Sequence, residues 1–537
     1  MSTPDYDAVV IGAGHNGLTC ACYLARAGLR VLVVEANDDV GGLTITQEIT
    51  RAGFHSDLHA FGYQFANLSP APRELDLERH GLELLTPPIA FAHAFTDGAT
   101  VQMHAADLEA TCASIGRLSA RDAAQWRVLY GQWLDARDAI AGGLNQPPGP
   151  LSAHFAQLEQ TPGGLDEYRF SQQTMRAWTR EWFDDEHLRL FLGAFSLHAN
   201  IAPDEVGGGQ LAWLFDSILQ QFGNKVVKGG MAGVAGALAR CLESLGGEIR
   251  TGAPVRRIVV EGGAARAVQL ADGTEITVGS LVASSVDPRT LVVDLLGAEV
   301  VGHDVIAKIE RYEWGDSIVV IYFALDRALE FAVGEDAARA CYVHCTPPSL
   351  EYVAQMFAET RAGQLPHGPV LVVCQDSVAD PSRAPAGAAV GKILVKCVPY
   401  ELADRTWADA KETYADHVVE LLTRHYVPNF AVSLTDRVVH SPEDQQALVS
   451  SAVHGTELQG AFVPYQSGAL RPIPELGRYR VPNTNVYLCG SGSHPGPGVS
   501  FMPGRNAAQV IYEDLGLDFA TVRTDSESGP STFNIAP

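Results

Sequence analysis

The first apolar block of the chain, YDAVVI (Tyr6–Ile11), predicts a short buried strand. It runs directly into GAGHNG (Gly12–Gly17), after which LTCACYLARAGL places its apolar residues at helical spacing. Past the break at Gly28, RVLVVE predicts a second buried strand that ends on Glu35. A similar alternation returns from Val226 to Pro288: a Gly-Gly turn, a helix over Met231–Leu245, then strands. Asp272-Gly273 marks a hairpin turn there, and SLVASSVDP reads as a further buried strand. NVYLCGSG predicts the last buried strand, followed by a stretch crowded with glycine and proline and then a final helix.

Two long insertions separate these blocks. Residues from about 69 to 224 read as mostly helical, with aromatic stretches such as YGQWLDARDAI. Residues from about 301 to 474 mix strands (DSIVVIYFALD, GPVLVVCQD, GKILVKCVPY) with a helix at WADAKETYADHVVELLTRHYV. The pattern predicts an α/β cofactor-binding domain assembled from 1–68, 225–300 and 475–515, and a second, α+β domain from 69–224 and 301–474. Residues 516–537 read as a flexible tail. No internal repeat is evident.

Composition narrows the class. With 46% hydrophobic and 19% charged residues among 537, the chain is expected to be globular. A net charge of −25 argues against nucleic acid and against attraction to anionic lipid. Nine scattered cysteines without a C-x-x-C pair predict reduced thiols, a cytoplasmic setting and no metal site. The start of the chain shows no signal-peptide pattern, and no apolar run reaches membrane-spanning length.

The front of the chain carries the clearest chemistry. Strand, Gly-x-Gly-x-x-Gly, helix, strand and acid occur here in sequence, the context that gives the glycine motif its meaning. Gly12 permits the tight turn, Gly14 lets backbone approach a pyrophosphate, and Gly17 lets helix and strand pack closely. The helix N-terminus offers amide donors to phosphate, and Glu35 is spaced to accept hydrogen bonds from a ribose. These features do not separate FAD from NAD.

The pair Gly41-Gly42, six and seven positions after Glu35, resembles the amine oxidase, phytoene desaturase and glutathione reductase group of FAD proteins. Together with DPSRAPAGAAVGKILVKCVPY and VYLCGSGSHPGPGVSFMPGRNAA, it makes the chain similar to the phytoene desaturase-like flavoproteins. The resemblance runs from about residue 5 to 515, most nearly to the branch of pyridine nucleotide-disulfide oxidoreductase domain-containing protein 2. It implies a Rossmann-type FAD-binding domain with an interleaved substrate domain, and non-covalent FAD. Implied contacts are Gly12, Gly14, His15, Asn16 and Gly17 at the first turn, with Glu35 and Ala36 after the second strand. Gly41, Gly42, Leu43 and Thr44 follow, and Val255 matches a residue whose backbone meets the adenine. At the C-terminal motif Gly490 and Ser491 face the pyrophosphate side, and Pro497, Gly498, Val499 and Ser500 face the flavin, with the last helix directed at its pyrimidine edge. Disulfide exchange is not expected, because no C-x-x-x-x-C pair is present and Cys20 and Cys22 read as helix packing.

In the resembling families the segment GFHSDLHAFGYQF (Gly53–Phe65) runs along the flavin. His55, Asp57 and His59 lie in it, and each histidine reads either as a proton acceptor or as a fastener of the loop. His494 reads as a flavin neighbour or a turn stabiliser. Arg505 and Asn506 either reach the cofactor or pair within the protein. His198 and Trp213 read as core or as the wall of a lipophilic tunnel, and Tyr312 and Trp314 as pocket residues.

The implied activity is removal of two hydrogens from a carbon–carbon or carbon–nitrogen bond, with hydride passing to flavin N5 from a lipophilic, isoprenoid-like small molecule. An amine oxidase, a flavin-dependent isomerase and an FAD-stabilised binding protein remain alternatives. Peripheral membrane contact and oligomeric state are left open by the sequence.

Overall fold

The computed structural model describes residues 4–522. The predicted unit is present as β1 (Tyr6–Ile11), α1 (His15–Arg26) and β2 (Val31–Val34). β1 lies inside a seven-stranded sheet, parallel to β2 on one side and to the strand Glu275–Ser284 on the other. β2 is buried along its whole length, as expected of a parallel strand covered on both faces. One face of the sheet carries α1 and the helices Ala232–Ser244 and Met502–Asp514. The small side chains of α1 let it sit between them. All nine cysteines, Cys20 and Cys22 on α1 included, are buried and unpaired.

The hairpin strand and SLVASSVDP, expected as separate strands, form one strand of ten residues. Its first residues pair antiparallel with Ala264–Leu270 across the Asp272-Gly273 turn. Its last pair parallel with β1 and with Val486–Leu488. Burial along it changes from alternating to continuous where the neighbours change, and that shift in pattern imitates two strands.

A second seven-stranded sheet runs in the order Leu434–His440, Ser317–Leu325, Ala389–Val398, Leu371–Cys374, Tyr342–Thr346, Ile89–Phe95, Thr100–His104. Its last two strands come from the insertion expected to be mostly helical. IAFAHAF (Ile89–Phe95) is rich in alanine, so its β-propensity is weak, and its parallel pairing with Tyr342–Thr346 fixes it as a strand. The helix Trp407–His425 covers one face of this sheet. Helices between Ala120 and Phe222 cover the other, burying Trp126, Trp133, Trp178 and Phe191. Trp133 Nε1 donates to Gln221 Oε1 at 2.8 Å and Trp213 Nε1 to the Leu129 carbonyl at 3.0 Å, so both indoles bury their rings with the polar end paired. His93 and His344 lie in the same layer, fully buried, with His198 against them.

A buried ion pair ties the last helix to the front of the chain. Arg505 donates to both carboxylate oxygens of Glu74 at 2.8 Å and to the Asn145 carbonyl at 3.1 Å. Asn506 donates to the Leu144 carbonyl at 2.9 Å, so both residues pair within the protein. Of the expected tail, Phe519 packs on Tyr23 and Tyr512, and residues 523–537 lie outside the described ones. Among the described residues no helix is long and apolar enough to cross a membrane, and no cluster of side chains suits a metal ion.

Two outcomes are expected. Arg505→Met removes the two-pronged hydrogen bond to the buried Glu74 carboxylate, which keeps the Tyr23 hydroxyl, and should cost about 3 kcal/mol in chemical denaturation. The second concerns acid. Burial holds His344 at about 3 and keeps His93 and His198 well below the usual 6.5. The unfolded chain takes up these protons near 6.5 and the folded chain does not, so stability is full above that pH and falls as pH drops below it. At about pH 5 His344 alone should cost roughly 2 kcal/mol. Urea midpoints measured across this range should fall steeply, and a flat profile would contradict the assignment.

Candidate functional site

The C-terminal ends of β1, β2 and Glu275–Ser284 open onto a cavity of about 250 Å³. Gly12, Gly14, His15 and Asn16 line it from the first turn, and Glu35, Ala36, Gly42 and Leu43 from the segment after β2. Val255 closes it beside Ala253 and Pro254, and Ser491 reaches it from the C-terminal motif. These are ten of the residues that the sequence assigns to the cofactor, brought together from segments hundreds of positions apart.

The geometry of the turn is set by close backbone approach. Gly12 has φ +96°, and a Cβ there would lie 2.5 Å from Ser285 Oγ. A Cβ on Gly17 would collide with the Gly12 carbonyl. A Cβ on Gly14 would meet nothing within 4 Å, because Gly14 faces the open cavity. Gly41 donates to the Ala13 carbonyl at 3.0 Å, and a Cβ on Gly42 would lie 3.3 Å from Gly14 Cα. Gly41-Gly42 therefore packs directly on the turn.

Glu35 Oε2 accepts from the Ala13 amide at 2.7 Å and Oε1 from the Asn37 amide at 3.0 Å. The carboxylate is thus locked in place at the cavity wall, with acceptor capacity left on both oxygens. The residues fit FAD: an open backbone cradle at Gly14, a helix N-terminus behind it, and a fixed carboxylate at ribose distance along the chain.

Other assigned residues stand off this cavity. Gly17 and Gly41 shape the turn, and Thr44 Oγ1 donates to the Gly41 carbonyl at 2.8 Å. A Cβ on Gly490 would collide with the Ser285 carbonyl, so Gly490 serves contact between strand ends instead of open approach to a ligand. Pro497, Gly498, Val499 and Ser500 do not line the cavity. The His15 ring is hydrogen-bonded with the Gly498 backbone, and Asn16 Nδ2 donates to Ser491 Oγ at 3.1 Å. The two residues between the glycines of the first turn therefore clip it to the C-terminal motif. A Cβ on Gly498 would sit 3.2 Å from the Phe65 ring, which places Gly53–Phe65 next to that motif.

The three histidines considered for catalysis have different surroundings. His55 is part-exposed and lies 3.5 Å from Glu48, at the open end of the pairing of Thr46–Gln47 with Ser56–Asp57. His494 Nε2 is 3.2 Å from the Gly143 carbonyl at the end of the helix Ala120–Leu144, so it fastens the turn, and burial holds it at about 4. His59 has its Nε2 buried without a partner. Burial, then the Lys392 ammonium and His440, push His59 down to about 3 and keep it neutral. Asp57 is structural: it accepts from Thr46 Oγ1 at 2.6 Å, the Met231 amide at 2.8 Å and Arg383 at 3.2 Å.

Several residues here escape the sequence analysis. Lys392 is fully buried and donates to the carbonyls of Asp57 at 2.6 Å and His59 at 2.9 Å. Ser285, Val286 and Thr290 line the cavity from the end of a strand beside β1, a position the strand pattern could have marked. Ser450, Ser451 and Gln459 arrive from a loop of the second insertion and carry no local signal. Arg471 is fully buried, with hydrogen bonds to the carbonyls of Ser491 at 3.1 Å and Leu458 at 2.8 Å, and it holds the loop carrying Gln459 against the C-terminal motif. His198 and Trp213 lie in the aromatic layer, and Tyr312 donates to the Gln459 carbonyl at 3.0 Å with Trp314 packed on its ring.

Comparison with known proteins agrees with this geometry. The model of the family "Flavin containing amine oxidoreductase" matches residues 17–511. The chain is 29% identical to one of the subunits of limonene dehydrogenase from Castellaniella defragrans, over 95% of each chain. It is 30% identical to pyridine nucleotide-disulfide oxidoreductase domain-containing protein 2 of Mus musculus, over 95% of this chain and 94% of that one. Among solved structures, cyclohexylamine oxidase from Brevibacterium oxydans superimposes with a TM-score of 0.57 at 16% identity, covering 96% of this chain and all of that one. The matching residues span both sheets, and a phosphate turn, a fixed acid and a glycine pair surround one cavity: this chain belongs to the flavin-containing amine oxidoreductase family and is an FAD-dependent oxidoreductase.

Proposed function

We propose that the protein is a dehydrogenase or desaturase that removes two hydrogens from a carbon–carbon bond of a lipophilic, isoprenoid-like small molecule. One observation carries this reading. From Phe65, whose ring lies 3.2 Å from where a Cβ on Gly498 would stand, an aromatic surface continues through Phe215 at 4.5 Å to Phe195 at 5.4 Å, and among the described residues no ion pair interrupts it. Phe65 and Phe215 are only partly buried. Such a surface suits a substrate that contributes apolar area. The activity for which the limonene dehydrogenase relative is named agrees with that class.

Bound FAD supplies the hydride acceptor. The chain's own part is to hold and orient. Glu35 would accept from ribose hydroxyls, and the amides at the start of α1 would take the diphosphate. Val255 would meet the adenine, and the turn at Gly498–Ser500 would flank the flavin. Nine buried thiols support a reducing, cytoplasmic setting. Exposed Leu151, Phe155, Leu165 and Tyr168 support passing contact with a lipid surface that holds the substrate.

The reading is tested anaerobically with limonene, farnesene and cyclohexylamine. Flavin bleaching by a hydrocarbon, with a product lighter by two hydrogens, is expected. Bleaching by the amine alone, with hydrogen peroxide appearing in air, would move the protein to the amine oxidases.

The cavity assignment makes its own demands. Gly14→Val should fold, since nothing opposes the new side chain, yet purify with little or no flavin. Glu35→Gln keeps the volume and loses acceptor capacity, and should weaken FAD about 10-fold or more by fluorescence titration. Gly12→Val should fail earlier, at folding, because of its φ and the Ser285 hydroxyl.

A further inference from the structure

The aromatic surface ends on a polar group that neither the cofactor site nor the apolar reading uses. We propose that His198, Tyr342 and His344 form a hydrogen-bonding site for an uncharged oxygen of the substrate, an alcohol hydroxyl or a ketone carbonyl. This deepens the dehydrogenase reading and rests on it, because it places the substrate on the surface that starts at Gly498.

His198 Nε2 lies 3.0 Å from His344 Nε2 and 2.8 Å from the Tyr342 hydroxyl. The Tyr342 hydroxyl is also 3.2 Å from His198 Nδ1, so His198 links the tyrosine and His344 through its two ring nitrogens. His344 Nδ1 is buried without a partner. So are both ring nitrogens of His93, whose ring stands 5.4 Å from that of His344. A buried polar atom left unpaired costs about 1–3 kcal/mol. The group therefore holds more hydrogen-bonding capacity than the chain consumes.

Its position points towards the substrate side. Phe61 stacks on Tyr342 at 4.7 Å and lies 6.2 Å from His198, and Phe195 is 5.1 Å from His198. Phe61 and His198 are only partly buried, whereas Tyr342 and His344 are closed off behind them. Phe61 belongs to the same segment as Phe65, so the histidines and the Gly498 turn lie on two sides of one stretch of chain.

The chemistry of the ligand follows from charge. Both histidines are neutral at working pH, since burial lowers them, so each ring offers one donor and one acceptor. A carboxylate would need a cation, yet Lys392 is committed to two backbone carbonyls and Lys396 to Glu457. An ammonium would need a carboxylate, and among the described residues none is hydrogen-bonded to the three. A hydroxyl or a ketone carbonyl matches what is offered.

The test uses FAD-loaded protein and two sets of ligands with shared skeletons: limonene, carveol and carvone, then farnesene and farnesol. Affinity is read by calorimetry, independent of turnover. In at least one set the oxygenated member should bind about 10-fold or more tightly than its hydrocarbon. That preference should shrink to about 2-fold or less in His198→Phe and in Tyr342→Phe, which removes only the hydroxyl. Thermal melting and flavin absorbance verify that each variant is folded and loaded, and His198→Asn replaces His198→Phe if the latter does not fold. Equal affinities within both sets, a preference that survives the substitutions, or binding of no ligand overturns the proposal. Loss of flavin absorbance in the parent protein would instead overturn the cofactor reading, so the two failures are distinct.

Discussion

At the C-terminal edge of the first sheet three backbones meet with no room for a methyl group between them. Gly12 and Gly17 close on Ser285, Gly490 closes on the Ser285 carbonyl, and Gly42 rests on Gly14. Segments from the beginning, middle and end of the chain are held in register there by contact between main chains. The first turn, Gly42 and the end of Glu275–Ser284, all walls of the cavity, are positioned from this junction. A side chain at any of these points would separate a strand end from its neighbour, and of these glycines only Gly14 is left facing open space.

Buried charge then fixes the rest of the chain to that junction. Arg505 and Glu74 lock the last helix to the segment after the first core. Arg383 reaches Asp57 and Asp376, and Lys392 takes the carbonyls of Asp57 and His59, so the second sheet grips the segment Gly53–Phe65. Arg471 does the same for the loop bearing Gln459. Each cation is buried among oxygen partners, and removing one partner strands a charge or a carbonyl in a medium that solvates neither. Among the described residues, polar capacity is left unspent at the cavity, on His15 Nε2 and Asn16 Oδ1, and beside the aromatic surface, on His93 and His344.

That distribution connects structure to chemistry. On the cofactor side, the wall of the cavity is built from the main chain of the glycine turn, the fixed carboxylate of Glu35 and the start of α1. The other side is built from aromatic rings and neutral histidines. Of the three histidines considered for catalysis, His55 faces outward, His494 fastens a turn, and His59 keeps a buried Nε2 without a partner.

The sequence by itself determined the phosphate turn, Glu35, the glycine pair and the return of the chain at Val486–Leu488, because each of these depends on residues close together in the chain. It also carried the cofactor, through motifs whose spacing is local. What tertiary structure alone decided was the hairpin of Ile89–His104, whose alanine-rich strand is fixed by pairing with Tyr342–Thr346. It also decided the fusion of two expected strands into Glu275–Ser284, and the arrival of Gln459, Lys392 and Arg471 at the site. Those outcomes rest on partners tens to hundreds of positions away. Local periodicity reports which face of an element is buried, and it does not report which distant backbone or charge lies against that face.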